Sequence, residues 1–513
     1  MIASIVTINT IVTIGTISQI PQKDSLTLNP QTLMKRTLLS FLLLLCAGVA
    51  IVVAQPAEKP WTHGRLQVSE NHLYLQHADG TPFFWQGETG WLMPEKLNRA
   101  QVGFYLTQCA NAGYNVVQVQ TVNGVPAYNV YGQPSMIPNK KGDLFDFTPY
   151  DKKAQRTLQN AYTYWDHFDY IFDQAEQRGI YIGMVCIWGG LVKAGLMNVE
   201  QAKAYGKFLA ERYGHRPNVV WIIGGDQRGD VKPEVWEALA TTIRQYDKNH
   251  LVTYHPFGRT SSATWWNDAE WLDFNMFQSG HRRYGQRRGD GDTSSTAETE
   301  EDNWRYVEAA HQLRPLKPIL DAEPSYERIP QGLHDVTQPK WQAQDCRRYA
   351  WWSVLAGSCG HTYGNNALMQ FYQPGDGQAY GCTTPWYEAI YDPGFLQMQY
   401  VKKLMLMLPY FERVADQSVL VGEYGKRYER PVASRGQDYI VAYSYVGGAL
   451  DIDMSRISGR QKKAWWYSPS TGEFRYIGQF DDSTSQHFDP QAPYGPGYDQ
   501  VLVVVDASKD YIK

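Results

Sequence analysis

The stretch Asn218-Val219-Val220-Trp221-Ile222-Ile223-Gly224-Gly225-Asp226 decides the fold class. A short, continuous apolar run that ends at glycine is typical of a parallel strand buried on both faces of its sheet. Amphipathic helices are predicted on either side of this run, over Val199–Tyr213 and over Pro233–Tyr246, the second with proline in its first turn. A helix, a buried strand and a second helix in succession indicate an α/β protein.

The same alternation extends along the chain in both directions. Eight such strands over roughly 300 residues predict a (β/α)8 TIM barrel. A doubly wound open sheet is the alternative, but no GxGxxG motif follows the first strand and no glycine-rich phosphate loop is present. The predicted strands are Phe83–Glu88, Asn115–Gln120, Ile180–Trp188, Asn218–Gly224, Leu251–His255, Trp271–Gln278, Pro318–Glu323 and Gly360–Gly364.

A chain of 513 residues is longer than one ordinary domain, so a second, smaller domain is expected. The barrel, assigned to residues 55–408, begins with a predicted β-hairpin around Asp79-Gly80. Residues 409–513 contain short apolar strands between turn residues, which predicts a small antiparallel β-sandwich. Its predicted strands are Ser418–Gly422, Tyr439–Ser444, Lys463–Tyr467 and Val501–Val505.

Residues 1–54 are predicted to be a leader rather than part of the fold. Met34-Lys35-Arg36 precedes an apolar run over Thr37–Ala54, the pattern of a secretory signal peptide, and Met34 is taken as the true start. The alternatives are an uncleaved membrane anchor and a lipoprotein attached at Cys46, although Leu45 fits a lipobox poorly. A secreted or periplasmic protein is expected, without a membrane span in the mature chain.

Composition excludes some functions and leaves others open. A formal net charge of −4 argues against nucleic-acid binding, which needs a basic face. The five cysteines after the leader form no CxxC pair and are predicted to be core thiols. Aromatic residues make up 14% of the chain, and their rings serve either in the core or as stacking surfaces for sugars. A monomer is expected.

Two carboxylates stand at strand ends, where TIM barrels place their active sites. Asp226 follows the fourth predicted strand and Glu323 ends the seventh, and these strands face each other across the barrel mouth. A pair of carboxylates flanking a bond is what glycoside hydrolysis requires. The alternative is that each carboxylate caps a helix or pairs with an arginine.

Further polar and aromatic side chains at the strand ends are predicted to bind a sugar substrate, by hydrogen bonds or by stacking. Each could instead be a satisfied polar or aromatic residue of the core. Asp321 is expected deeper in the barrel, where it either hydrogen-bonds within the barrel or raises the pKa of its neighbour. The predicted binding residues are Glu88, Trp91, Gln120, Trp188, His255, Gln278, His281 and Tyr363.

Histidines at three strand ends raise the possibility of a metal-dependent hydrolase. Such barrels usually carry His-x-His after the first strand, where this chain has Glu88 and Trp91, so neither a metal nor another cofactor is expected. The segment 281–290 after the sixth strand is locally basic. It could meet an acidic polysaccharide such as pectin, or it could be a solvated loop that the acidic stretch 298–302 neutralises.

Several of these motifs resemble the apiosidase-like domain of glycoside hydrolase family 140. They are Trp85–Trp91 (WQGETGW), Ile223–Asp226 (IGGD), Asp321–Glu327 (DAEPSYE) and His361–Asn365 (HTYGN). The segment Trp466–Gly472 (WYSPSTG) looks like the collagen-binding-type β domain that follows it in that family.

The resemblance implies a secreted, retaining exo-enzyme that releases apiose from rhamnogalacturonan-II, a plant pectin. Carried over by motif, Asp226 is the acid/base and Glu323 the nucleophile. The wider clan of retaining barrels has glutamate at the strand-four position, usually after asparagine, whereas this chain has Gly225-Asp226. An endo-β-glycanase of the same clan and a non-catalytic carbohydrate-binding protein are the alternatives.

Overall fold

The computed structural model describes residues 59–136, 162–286 and 301–512. The predicted leader, including Met34 and Cys46, lies outside these ranges. In the described ranges, no helix combines the length and the apolarity that crossing a bilayer would need.

The predicted eight-stranded barrel is confirmed. Seven of its neighbouring strand pairs are parallel ladders. The ring closes between the strand Val252–His255 and the two residues that precede the strand Asn275–Gln278. The backbone N–H of Asp273 donates to the carbonyl of Val252 at 2.9 Å, the N–H of Val252 donates to the Asp273 side chain at 2.7 Å, and the Thr253 hydroxyl donates to the carbonyl of Phe274 at 2.7 Å. The strands of this sheet are β4 (Trp85–Thr89), β5 (Val116–Gln120), β6 (Tyr181–Val185), β7 (Val219–Gly224), β8 (Val252–His255), β9 (Thr260–Ser261), β10 (Asn275–Gln278), β11 (Ile319–Asp321) and β12 (Gly360–Tyr363).

Helices cover the outside of the barrel and begin where the sequence provides caps. Val199–Tyr213 starts at a capping box formed by Asn198 and Gln201, and Pro233–Tyr246 starts at its proline, as predicted. The longer helices of the described chain are Arg99–Asn111, Tyr164–Glu176, Val199–Tyr213, Pro233–Tyr246, Trp304–His311, Ala343–Leu355 and Gln399–Met407. The shorter ones are Met93–Lys96, Gly189–Lys193, Ala263–Trp266, Asn366–Met369, Trp386–Ala389 and Pro393–Gln397.

A small antiparallel sheet precedes the barrel. The expected hairpin at Asp79-Gly80 joins its second and third strands, and one further strand pairs with the second. The strands are β1 (Leu66–Val68), β2 (Leu75–His77) and β3 (Pro82–Phe83).

An antiparallel β domain follows the barrel, as predicted. One sheet has the strand order β13-β14-β15-β20-β17-β18, and the ladder of β16 with β19 covers one of its faces. The expected strand at Ser418–Gly422 is wrong, because the Asp416 side chain caps a 3₁₀ turn over Gln417–Val419 instead. The strands are β13 (Val414–Ala415), β14 (Val432–Arg435), β15 (Tyr439–Ser444), β16 (Leu450–Ile452), β17 (Gln461–Tyr467), β18 (Phe474–Asp481), β19 (Gln486–Phe488) and β20 (Gln500–Asp506).

The other face of this sheet packs on the barrel helix Ala343–Leu355. The ring of Trp351 stacks on Tyr443, with centroids 5.8 Å apart. The fully buried Arg348 donates a 2.6 Å hydrogen bond to Glu301. Two rings from the barrel helix and two from the β domain surround its guanidinium, with centroids at 4.5–5.2 Å, namely Tyr349, Trp352, Tyr428 and Tyr445. Arg348 and Glu301 both belong to the barrel, and the β domain packs on this ion pair through its aromatic rings and through the Tyr428 hydroxyl, which donates to Glu301 at 2.9 Å.

Candidate active site

The end of β7 places Asp226 at the barrel mouth through three successive residues with positive φ: Gly224 (87°), Gly225 (106°) and Asp226 (50°). A Cβ at Gly224 would lie 2.5 Å from the carbonyl oxygen of His255, and one at Gly225 would lie 3.0 Å from the ring of Trp188. Only glycine fits both this conformation and this space. The two glycines thus let the chain pass close to its neighbours and turn Asp226 toward the pocket.

A pocket of about 590 Å³ opens at this end of the barrel, and both Asp226 and Glu323 line it. In the described part of the chain they are the only acidic side chains of its wall, whereas Arg259 and Arg282 are its basic ones. Aromatic and amide side chains complete the surface around the pair. These include Trp91, Gln120, Trp188, Phe257, Gln278, Tyr326 and Tyr380.

Glu323 lies between two imidazoles. The Nε2 atom of His281 is 3.2 Å from Oε1, and the Nε2 atom of His255 is 3.4 Å from Oε2, a contact without hydrogen-bond alignment. The backbone N–H of Tyr326 donates to Nδ1 of His281 at 3.4 Å, and that of Asp226 donates to Nδ1 of His255 at 3.3 Å. Because Nδ1 accepts in both rings, the neutral form of each ring carries its hydrogen on Nε2, and only at His281 is this atom aligned for a hydrogen bond with the carboxylate.

Burial and a neighbouring negative charge both act on the carboxyl group of Asp226. Burial raises its pKa well above the usual range, and the negative charge of Glu323 raises it further. Hydrogen bonds from the Gln278 side chain and the Gly258 backbone only partly offset these effects. These effects favour the protonated form of Asp226, and burial lowers the pKa of His255, which favours its neutral form. Two carboxyl groups in different environments can serve as acid and as nucleophile.

Asp321 lies beneath the pair and hydrogen-bonds within the barrel, one of the roles expected for it. It accepts hydrogen bonds from Ser279 Oγ at 2.6 Å and from Asn303 Nδ2 at 3.1 Å. Burial raises its pKa to about 7, against the lowering effect of these donors. The bond to Ser279 fixes the segment that leads to His281, and so contributes to the position of the imidazole at Glu323.

The structure brings most of the predicted binding residues to the pocket. Trp91, Gln120, Trp188, Gln278 and His281 line its wall. The rings of Trp91 and Trp188 have centroids 5.8 Å apart at an interplanar angle of 57°. His255 is fully buried and contacts Trp91 edge-on at 5.5 Å, so it faces the carboxylate rather than the pocket space.

Glu88 and Tyr363 are not brought to the pocket, which corrects the expectation that they bind the sugar. Glu88 is fully buried near Cys109 of the helix layer. The hydroxyl of Tyr363 donates to Glu327 at 2.5 Å. Side chains of a strand alternate between its two faces, and neighbouring Gly87 occupies the inner face, against Thr362. Glu88 and Tyr363 occupy the alternate positions of their strands, so their side chains point toward the helices.

Sequence reasoning missed several wall residues. Tyr326 accepts a 3.0 Å hydrogen bond from Nε1 of Trp91 and contacts Glu323. The sequence allows its place near the pocket to be inferred, because Tyr326 lies three residues after Glu323. Leu333 and Tyr380 lie on the long connections after β11 and β12, and Arg259 lies in the short connection between β8 and β9. None of these segments carries a hydrophobic periodicity from which the position of the residue could be inferred.

The described residues include no group of three or more His, Cys, Asp or Glu side chains arranged to hold a metal ion. All five cysteines of the described chain are buried and unpaired, which confirms the prediction of core thiols.

Comparison with known proteins agrees with this geometry. The profile of the family described as "Apiosidase-like, catalytic domain" matches residues 69–412, and that of the "Putative collagen-binding domain of a collagenase" matches residues 414–505. A search of curated proteins found no match.

Two solved structures are 57% identical to the chain. One, titled "Glycoside hydrolase", has a TM-score of 0.84 and covers 89% of this chain and 100% of its own. The other, titled as a glycoside hydrolase family 5 protein from Bacteroides vulgatus, has a TM-score of 0.85 with coverages of 89% and 96%. A third, also from Bacteroides vulgatus, is 16% identical with a TM-score of 0.59 and shares the fold, covering 87% of this chain and 83% of its own.

The barrel, the paired carboxylates and these relatives define a glycoside hydrolase. Because one family profile spans most of the chain, the protein belongs to the apiosidase-like family.

Proposed function

We propose that the protein is a retaining exo-glycoside hydrolase that releases apiose from the side chains of rhamnogalacturonan-II. The observation that carries this proposal is that Asp226 and Glu323 line one pocket at the mouth of the barrel, in an environment that raises the pKa of Asp226. The description of the matching family supports apiose as the sugar.

The proposed reaction has two chemical steps. The Glu323 carboxylate attacks the anomeric carbon, and Asp226 protonates the leaving glycosidic oxygen, which gives a glycosyl–enzyme ester and a free alcohol. Asp226 then removes a proton from water, whose oxygen attacks the anomeric carbon and releases Glu323 as a carboxylate. A retaining enzyme of this kind has its two carboxyl groups about 5–5.5 Å apart.

The electrostatics of the pair suit both steps. Burial and the charge of Glu323 together raise the pKa of Asp226, which keeps its proton available for the first step. Once Glu323 is esterified its charge is gone, and the pKa of Asp226 falls, which prepares it to act as a base. The hydrogen bond between Nε2 of His281 and Oε1 of Glu323 holds the attacking carboxylate in place, and the ring of His255 lies against its other oxygen.

The wall of the pocket supports an acidic, branched substrate. Its basic side chains, Arg259 and Arg282, suit the carboxylates of a pectin. In the described chain, acidic side chains other than the catalytic pair do not line it, so repulsion of a uronic acid is small.

We also propose that the protein acts outside the cytoplasm, as a monomer. The pattern of residues 34–54 supports export through a cleaved leader. Mass spectrometry of the mature protein from its native host would locate its first residue and reveal any lipid at Cys46.

A panel of pectic oligosaccharides, including rhamnogalacturonan-II fragments, tests the proposed substrate. The released sugars are identified by chromatography, and the chain lengths of the remaining products are measured. Release of apiose with otherwise intact chains is expected. Internal fragments would instead indicate an endo-glycanase, and binding without any product would indicate a carbohydrate-binding protein.

A further inference from the structure

Backbone strain is concentrated at the pocket. Among the described residues, ten other than glycine have positive φ, and four of these line the pocket. Each of the four follows a different barrel strand: Asp226, Arg259, Leu333 and Tyr380. Strained residues persist only where their surroundings enforce them, and they cluster at functional sites. The three besides Asp226 are therefore candidates for substrate contact.

Tyr380 is the most informative of the three. It has φ 52° and ψ 34°, a conformation that a bulky side chain rarely adopts. Its carbonyl accepts a 3.0 Å hydrogen bond from Nδ2 of Asn366, and its ring lies 6.1 Å from that of His334. These contacts fix a half-buried phenol on the pocket wall.

The side chain of Tyr380 lines the same pocket as both carboxyl groups. Burial raises the pKa of Tyr380, and the negative charges of Glu323 and Asp226 raise it further. A neutral phenol there can donate a hydrogen bond to a sugar hydroxyl or to a glycosidic oxygen.

We propose that Tyr380 is a substrate-positioning residue, whose hydroxyl binds the glycoside between Asp226 and Glu323. This inference rests on the proposed glycosidase chemistry but does not depend on which sugar is released. The strained backbone is the means by which the loop after β12 delivers the hydroxyl to the pair.

Tyr380→Phe tests this role by removing a single oxygen. Kinetics are measured on whichever glycoside the wild type hydrolyses fastest, from the pectic oligosaccharides and a set of 4-nitrophenyl glycosides. Loss of one hydrogen bond at the reacting centre should lower kcat/KM by about tenfold, with most of the loss in kcat. The thermal midpoint should not change, because the ring and the backbone remain.

Tyr387→Phe is the matched control, since this tyrosine lies seven residues later, in the short helix Trp386–Ala389, and is exposed and outside the pocket wall. It should leave all kinetic constants unchanged. Tyr380→Gly, which fits positive φ without strain, should retain stability and lose more activity than Tyr380→Phe.

The experiment distinguishes failure of the proposed role of Tyr380 from failure of the proposed apiose substrate. If another sugar is released and Tyr380→Phe is impaired on it, the apiose assignment fails and the role of Tyr380 stands. Wild-type kinetics in Tyr380→Phe, with Glu323→Gln inactive on the same glycoside, would overturn the role of Tyr380. Absence of hydrolysis of every glycoside by the wild type would overturn both.

Discussion

Glu327→Gln should stabilise the protein at alkaline pH and leave its stability nearly unchanged in acid. Glu327 is almost fully buried, accepts hydrogen bonds from Tyr363 at 2.5 Å and from the backbone of Gly394 at 3.3 Å, and does not line the pocket. Burial raises its pKa to about 7, although the Tyr363 hydroxyl partly offsets this.

The magnitude follows from linkage between protonation and folding. In the unfolded chain Glu327 titrates near its ordinary pKa of 4.5, whereas the native protein holds the proton up to about 7. The native state therefore binds more protons in this window, and stability falls as pH rises through it. The difference between the two pKa values corresponds to about 3 kcal/mol, lost in full above pH 7.

A glutamine has the shape of the protonated carboxyl group and cannot ionise. The free energy of unfolding, measured in urea by tryptophan fluorescence, should thus be similar for the two proteins at pH 5. At pH 8 the variant should be more stable by about 3 kcal/mol. Glu388→Gln, at an exposed position outside the pocket, is the control and should not alter the pH dependence. A difference between wild type and Glu327→Gln that is the same at both pH values would refute the reasoning.

Two further predictions concern the domain interface and the catalytic pair. Arg348→Met leaves the buried Glu301 carboxylate without its ion-pair partner and should lower the free energy of unfolding by about 3–5 kcal/mol. Arg305→Met, the control at a half-exposed ion pair, should lower it by less than about 1 kcal/mol. Equal losses for the two variants in denaturant titrations would contradict this prediction. Glu323→Gln removes one of the two causes that raise the pKa of Asp226, so that pKa should fall. Titration by ¹³C NMR, with the Asp226 signal assigned through Asp226→Asn, measures the change, and an unchanged pKa would mean that the two carboxyl groups do not interact.

Elements with strong local signals could be predicted from the sequence. Helices Val199–Tyr213 and Pro233–Tyr246 and strand Tyr439–Ser444 have the predicted bounds, because caps, proline and continuous apolar runs fix their ends. Ser418–Gly422 has similar apolar content, but the capping side chain of Asp416 favours a turn.

The residues of the site could be predicted from the sequence where proximity to a strand end alone determines their location. Asp226 and Glu323 each lie two residues beyond the end of their strand, and both reach the pocket. Glu88 shows where this inference fails. Its position at a strand end places it at the level of the pocket along the barrel axis, but its side chain points away from the interior because successive residues of a strand alternate between the two faces. Tyr380 shows the other limit, because its place depends on tertiary contacts of a long loop, such as that with Asn366.

The central claim is that Asp226 and Glu323 together hydrolyse a glycoside, and the sugar released by matched variants tests it most directly. Wild type, Asp226→Asn, Glu323→Gln and the control Glu388→Gln are incubated with rhamnogalacturonan-II fragments, and free apiose is quantified. The account predicts equal release by the wild type and the control, and no turnover above background by either active-site variant, all four proteins being folded. Apiose release by Glu323→Gln at the wild-type rate would contradict it.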